Sequence, residues 1–172
     1  MSQIPAPRGA NVRSHSYFVA RTRMRCPHCG LPTRLLAVAV PHDHETLAED
    51  AEDDAGNCAE PAAQAWQRAN ISAFLFYVQE LPDGVRDRLH QMSRCFRPAP
   101  SAATLNSHWI NHCEHCSRPL GDHELHCEPG VFMVSSEAAA ANIELVRIQE
   151  PFAAVAAGYA MDPEFFAFMR KS

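Results

Sequence analysis

Two Cys-x-x-Cys pairs constrain this chain more than any other sequence feature. They are Cys26-Pro-His-Cys29 and Cys113-Glu-His-Cys116. This spacing suits a tight turn that directs two sulfurs at one cation, and two such turns supply the four ligands of a closed tetrahedral zinc site. Residues 30–112 separate the pairs, but an insertion between two independent turns only lengthens a loop. We therefore predict one structural Zn²⁺ ion bound by Cys26, Cys29, Cys113 and Cys116.

The residue after each second cysteine often needs a positive φ angle, which glycine adopts without steric cost. Gly30 occupies this position after the first pair, whereas Ser117 occupies it after the second. The second turn is therefore predicted either to take another form or to carry mild strain.

Seven cysteines favour metal binding over a disulfide framework, since disulfides alone would leave one unpaired. A redox dithiol is an alternative, but it is typical of a single Cys-x-x-Cys at a helix start. A site in which a histidine replaces one cysteine is another. The remaining cysteines, Cys58, Cys95 and Cys127, are predicted to be small buried residues.

The sequence predicts an α+β fold, with a zinc ribbon of two Cys-x-x-Cys knuckles on β-hairpins, embedded in a small antiparallel sheet with a few short helices. β-Branched and aromatic runs predict strands, and capping residues and alanine-rich stretches predict helices. The predicted strands are 17–25, 34–40, 71–78, 107–111, 130–134 and 144–148. The predicted helices are 62–68, 83–93, a short one starting at Ser135 or Ser136, and much of 151–169 with a fresh start at 162–164. Residues 97–107 are predicted to be a polar connection.

One domain is predicted over residues 15–172, preceded by a flexible N-terminal arm at 1–14 that is rich in proline and polar residues. Residues 42–60 are strongly acidic and almost lack an apolar pattern. They are predicted to form an exposed acidic loop.

Composition narrows the possible partners. The chain of 172 residues is 47% hydrophobic with a net charge of -5, which disfavours nucleic acid and anionic membranes as partners. Lys171 is its only lysine, so its positive charge is almost all arginine, which suits fixed pairing with carboxylates. No leader or apolar run of about 18–20 residues is evident. We therefore expect a cytoplasmic protein, where thiols stay reduced.

The two knuckles resemble those of zinc-ribbon proteins, and more narrowly those of a group of uncharacterised small bacterial proteins. The features shared with that group are the Tyr17-Phe-Val-Ala-Arg21 strand, the segment His108-Trp-Ile-Asn-His112, and Gly121-Asp122 with Leu125-His126. The resemblance covers about residues 16–40 and 71–134. It implies the fold core and the four ligands, and it brings no function.

The leading functional hypothesis is a non-enzymatic protein that engages a protein partner, with zinc holding its scaffold. A closed metal site, the lack of a catalytic constellation and the negative net charge motivate it. Small acidic proteins of this kind can act as inhibitors or immunity proteins of basic enzymes, and the acidic loop could steer such an encounter.

Nucleic-acid binding is the second hypothesis. Arg21, Arg23 and Arg25 share one side of a predicted strand and could contact phosphates, while Tyr17 and Trp109 could stack on bases. The net charge and the near absence of lysine count against it. Arg23, Arg25 and Arg118 also flank the knuckles, where they could offset the charge of a tetrathiolate centre.

A metal-dependent enzyme is the third hypothesis. His42-Asp43-His44 follows a predicted strand, and several histidines crowd the second knuckle. A second metal could bind there. The residues of this cluster are His112, His115, His123, His126 and Cys127. The sequence shows no ordered third ligand and general base of the kind that catalytic zinc needs.

Overall fold

The computed structural model describes residues 6–47, 65–100, 106–127, 131–160 and 163–172. These residues form mostly β-sheet with a few short helices, which confirms the α+β prediction in this coarser form. The strands are β1 (Val12–Ser14), β2 (Tyr17–Arg25), β3 (Pro32–Val40), β4 (Glu45–Leu47), β5 (Trp66–Arg68), β6 (Ala73–Glu80), β7 (Phe96–Pro100), β8 (Ser107–His112), β9 (Pro119–Leu120), β10 (Glu144–Ile148), β11 (Phe152–Ala160) and β12 (Arg170–Lys171). The helices are α1 (Asp83–Met92), α2 (Asp122–His126), α3 (Glu137–Ala140) and α4 (Pro163–Phe166).

The described strands make two sheets. The larger has the order β12-β10-β2-β3-β6-β11-β1-β4-β5, and the smaller has the order β7-β8-β9. All neighbours are antiparallel except β10 and β12, which are parallel. The β2–β3 hairpin is long and in register from Phe18 opposite Ala39 to Arg25 opposite Pro32. Both cysteine pairs follow strands, so each sheet contributes one pair.

Apolar side chains cover both faces of the central strands. One cluster contains Val19, Leu36 and Val38, and is covered by Val85 and Leu89 of α1. The opposite cluster is built around Leu35 and Phe74 and contains Cys26 and Cys113. Because β3 is buried on both faces, it is nearly continuous in apolar residues rather than alternating.

The smaller sheet is held on β3 by a side chain. The Asn111 amide donates to the Leu36 carbonyl at 2.8 Å, and its oxygen accepts from the Leu36 N–H at 2.9 Å. Asn111 thus satisfies a backbone donor and acceptor of β3 at a point where β6 does not pair with it. This contact sets the position of β8, which leads into the second cysteine pair.

The predicted flexible arm is wrong at its C-terminal end. Val12–Ser14 form β1 between β11 and β4, with Val12 fully buried. Asn11 also bonds both the N–H and the carbonyl of Ala156, at 3.0 and 2.7 Å. The proline-rich composition of the segment concealed a strand whose partners are distant in sequence. Residues 1–5 lie outside the described residues.

The predicted acidic loop and the helix after it are also corrected where the structure describes them. Glu45–Leu47 form β4, which pairs with β5 at Trp66–Arg68, so these two short strands replace part of the loop and the end of the 62–68 helix. The rest of the loop, 48–60, and residues 61–64 lie outside the described residues.

The connection predicted at 97–107 contains strand β7, which pairs with β8. Pro98 and Pro100 are compatible with a strand here because β7 is an edge strand, with β8 as its only neighbour among the described residues. The strand predicted at 130–134 is wrong for its described part. Residues 131–133 form bends and residue 134 belongs to no regular element, although Phe132 and Val134 are buried.

The helix predicted over 151–169 is wrong for most of its length. Phe152–Ala160 form β11, and only Pro163–Phe166 are helical. Alanine has a high intrinsic helix propensity, but in β11 the small residues allow close packing against side chains of β6. A Cβ atom at Gly158 would lie 2.4 Å from the Phe76 ring. Helix α1 and strand β10 are confirmed, as is the short helix after Ser136, whose hydroxyl accepts from the Ala139 N–H.

Among the described residues, no helix has both the length and the apolar character required to cross a membrane.

Candidate metal centre

The first cysteine pair lies in the turn that joins β2 to β3. The Cys26 N–H donates to the Leu31 carbonyl at 2.9 Å, and the Gly30 N–H donates to the Cys26 carbonyl at 2.8 Å. The His28 N–H points at the Cys26 sulfur, 3.4 Å away. Gly30 has φ +74°, the left-handed conformation that the turn requires. The Arg25 guanidinium donates to the Gly30 carbonyl at 3.1 Å and closes the turn from outside.

The second pair repeats this turn between β8 and β9. The Cys113 N–H donates to the Arg118 carbonyl at 2.9 Å, the Ser117 N–H to the Cys113 carbonyl at 3.0 Å, and the His115 N–H points at the Cys113 sulfur at 3.4 Å. Ser117 has φ +58°. Of the two outcomes expected for Ser117, the structure shows the strained one, since the turn keeps its form and forces a side-chain-bearing residue into the left-handed region.

The four sulfurs converge. The Sγ atoms of Cys26 and Cys116 are 3.8 Å apart, those of Cys29 and Cys113 are 3.6 Å apart, and all four lie within 4.8 Å of one another. A tetrahedron of metal–sulfur bonds of about 2.3 Å has edges of about 3.8 Å. Four thiolates at this spacing fit a metal ion of that kind at their centre.

Burial divides the site into an inner and an outer half. Cys26 and Cys113 are buried in the apolar cluster around Leu35, Cys116 is half-buried, and Cys29 is exposed. Backbone N–H groups of Cys116 and His115 lower the pKa of the Cys113 thiol to about 6, which favours a thiolate there. The Leu31 backbone N–H lowers the pKa of the Cys29 thiol, but partial desolvation and the three neighbouring sulfurs outweigh it and raise the pKa to about 11. A bound cation would displace the thiol protons from these sulfurs.

Glu114, inside the second pair, fixes this turn to strand β3. Its carboxylate accepts from the Arg34 backbone N–H at 2.9 Å and from the Arg34 Nε at 2.7 Å. Its own N–H donates to the Thr33 hydroxyl at 3.1 Å. The Arg34 guanidinium holds the pKa of Glu114 below its usual value, so the pair stays charged. Together with Asn111, these bonds bring Cys113 beside Cys26.

The histidines predicted as a possible second metal site have separate roles. His112 contacts the carbonyls of Cys95 and Ile110, both at 3.2 Å, and His115 contacts the Pro32 carbonyl at 2.9 Å. His126 is buried and stacks between Phe76 and Phe132, and His123 is exposed.

Within the described part of the chain, the four cysteines are the only group of three or more potential ligands close enough to share a metal. His42-Asp43-His44 adds no second centre, since His44 is buried with its Nδ1 2.7 Å from the Pro41 carbonyl.

The aromatic part of the predicted nucleic-acid face is wrong. Tyr17 is completely buried and Trp109 is 2% exposed, so neither can stack on a base. Both pack in the apolar cluster on one side of the sheet. Arg21, Arg23 and Arg25 are exposed, as their alternation on β2 predicted.

Two of the three other cysteines can be placed. Cys95 and Cys127 are half-buried rather than fully buried, and Cys58 lies outside the described residues.

A buried polar contact next to the smaller sheet was not predicted. Tyr77, inside β6, has φ +49°, and its N–H donates to the Asp122 carboxylate at 2.8 Å. Asp122 is 4% exposed, and burial raises the pKa of its carboxyl to about 7. The pattern of β6 gave no sign of a left-handed residue.

The roles of Glu114 and Asn111 were not predicted either. From the sequence they could have been suspected only as polar residues next to a cysteine turn.

Comparison of the chain with protein-family models, with characterised proteins and with solved structures gave no match. The comparisons therefore do not confirm the predicted resemblance to zinc-ribbon proteins, whereas the structure shows four cysteines close enough to hold a metal ion.

Proposed function

We propose that this is a non-enzymatic zinc-binding protein, in which one Zn²⁺ ion joins two hairpins as a zinc ribbon and the stabilised surface engages a protein partner. The observation that carries the proposal is the meeting of four cysteine sulfurs within 4.8 Å. Four thiolates fill the coordination sphere of a structural zinc, whereas a catalytic zinc has three protein ligands and one open position.

Zinc is favoured by the ligand type and the geometry. A tetrahedral set of four sulfurs selects zinc or iron–sulfur chemistry. The backbone donors to the Cys26 and Cys113 sulfurs would spread the charge of a tetrathiolate centre. A reducing cytoplasm, which we include in the proposal, would keep the thiols available for metal.

Metal analysis and X-ray absorption of the purified protein test this assignment. We expect one zinc per chain with four sulfur neighbours at about 2.3 Å and no oxygen or nitrogen neighbour. A Cys116→Ser variant should lose most of the zinc, while a Cys95→Ser variant, which changes a cysteine outside the cluster, should keep it. An oxygen or nitrogen ligand in the wild-type spectrum would favour an open site and count against the structural role.

The partner is proposed to be a protein, including the basic enzymes that small acidic inhibitors or immunity proteins bind. The net charge of -5 supports this, because a negative surface speeds encounter with a basic partner. Affinity purification should recover a partner in stoichiometric amount that dissociates at higher salt, and adding the purified protein should reduce that partner's activity. Recovery of no stoichiometric partner from native cells would count against a protein-binding role.

A further inference from the structure

Four arginines on three strands share one face of the larger sheet. Arg21 of β2 lies opposite Glu144 of β10, and Glu144 in turn lies opposite Arg170 of β12. Two residues further along β2, Arg23 lies opposite Arg34 of β3. Because side chains two apart on a strand point to the same face, the register brings these four guanidinium groups together.

These residues line a groove beyond the end of helix α1. The helix covers the apolar part of this face and ends at Met92, where the groove begins. The cavity has a volume of about 540 Å³, and its lining includes the four arginines, one carboxylate, Glu144, and Met92 and Ser93 at the end of the helix. Sites for small molecules usually enclose about 300–1,000 Å³, so the groove can hold a ligand of nucleotide size.

The groove keeps more positive charge than its carboxylates offset. Arg21 pairs with Glu144 at 2.8 Å, and Arg34 pairs with Glu114 at 2.7 Å. Within the described residues, Arg23 forms no ion pair. Arg170 makes no direct ion pair with a described residue either, but it lies opposite Glu144 and, after the larger effect of Arg21, its charge helps to lower the pKa of that carboxyl. The protein as a whole is negative, so the positive charge is a local feature of this face.

The position of Arg23 is costly for the fold alone. Like charges directly opposite each other on neighbouring strands destabilise a sheet, and Arg23 faces Arg34 in this way. The pairing of Arg34 with Glu114 offsets only part of this repulsion, because Arg23 itself has no carboxylate partner among the described residues. Arg23 is exposed, so apolar packing does not account for it. An anion bound between the two guanidinium groups would convert this repulsion into two charge-assisted sets of hydrogen bonds.

We propose that this groove is a binding site for a small phosphate-bearing molecule. Arg23 is the principal contact of the phosphate group, and Arg34 contributes the guanidinium N–H groups that its pairing with Glu114 leaves free. Arginine forks match the geometry of phosphate oxygens better than lysine does. Arg170 and Arg21 extend the site along the sheet and would contact a second anionic group or the sugar side of a mononucleotide. The site contains no cysteine and involves no protein partner, but its Arg34 also pairs with Glu114 inside the second cysteine turn.

Isothermal titration of the zinc-loaded full chain with inorganic phosphate and with AMP tests the proposal. We expect AMP to bind with a dissociation constant below about 1 mM at low salt. AMP should also bind more tightly than inorganic phosphate. Arg23→Gln should weaken AMP binding at least tenfold without changing the zinc content or the circular dichroism spectrum.

The matched control is Arg86→Gln, which removes the same charge from an exposed arginine of α1 that pairs with Asp83 outside the groove. This variant should bind AMP as the wild type does. The absence of AMP and phosphate binding in the millimolar range would overturn the proposal, as would equal weakening by both variants. A single-stranded 12-nucleotide DNA that binds at least a hundredfold more tightly than AMP would also overturn it, in favour of a nucleic-acid surface.

Discussion

The two cysteine turns allow a direct comparison of backbone strain, because they share the same backbone hydrogen bonds but have glycine in one and serine in the other at the position with positive φ. Gly30 and Ser117 occupy equivalent positions at φ +74° and +58°. Exchanging the two residue types should therefore change stability in opposite directions. We expect Ser117→Gly to stabilise the protein and Gly30→Ser to destabilise it.

The expected magnitude follows from the local surroundings. A residue with a Cβ atom loses roughly 1–2 kcal/mol in the left-handed region, and glycine gives back about 0.5–1 kcal/mol through the freedom of the unfolded chain. A Cβ atom at Gly30 would meet nothing within 4 Å, so packing adds no further cost. Each substitution should therefore change the free energy of unfolding by about 0.5–1 kcal/mol.

Urea unfolding of the metal-loaded protein measures these differences, with competition by a chelator as a second measurement. The variant that carries both changes should unfold close to the wild-type midpoint, since the two sites contribute separately. If Ser117→Gly left stability unchanged or lowered it while Gly30→Ser was destabilising, the two turns would not be equivalent. The account of Ser117 as a strained residue would then be wrong.

Three further predictions concern buried polar side chains. Asn111→Ala leaves the buried Leu36 N–H and carbonyl without partners, so it should lower the free energy of unfolding by about 2–4 kcal/mol and weaken metal affinity. The control, Asn11→Ala, removes a similar pair of bonds elsewhere and should lower stability in urea without changing metal affinity. Asp122 binds a proton on folding because its pKa is raised to about 7, so its contribution is favourable below about pH 4 and is lost as pH rises to 7. Asp122→Asn should therefore gain stability relative to the wild type over that range, by up to about 1.4 kcal/mol per pH unit, and a difference that did not vary with pH would show that the carboxyl is not perturbed. His126→Phe should keep one metal per chain, because His126 packs between two aromatic rings; loss of metal by elemental analysis would place it among the ligands.

The parts of the fold that were predictable from the sequence are those whose partners are close in the chain. β2 and β3 form a hairpin around the first cysteine turn, so strand propensity and turn chemistry act on the same short segment. Helix α1 has Val85 and Leu89 buried on one face, as their spacing predicted. The four cysteines were predictable because metal coordination demands a spacing that few other uses of cysteine require.

The parts that were missed depend on distant contacts. β11 is composed largely of alanine and was predicted as a helix, but it becomes a strand by pairing with β6 and β1, which lie far away in sequence. β1 is too short to show an alternating pattern, and β7 contains two prolines that only an edge position permits. In each case tertiary pairing overrides local propensity.

The arrangement of the second hairpin bears on how the metal contributes to folding. Bringing Cys113 to Cys26 closes a long loop, at an entropic cost of about 4 kcal/mol for some 80 flexible residues. Asn111 and Glu114 form hydrogen bonds to β3 at the base of the same hairpin, so they close the same loop that a bound metal would close. The sulfurs would then be held near one another before a metal binds, and little further ordering would be needed. Metal affinity in the intact chain should therefore exceed that of a peptide carrying either cysteine pair, and the Asn111→Ala variant should lose part of that difference.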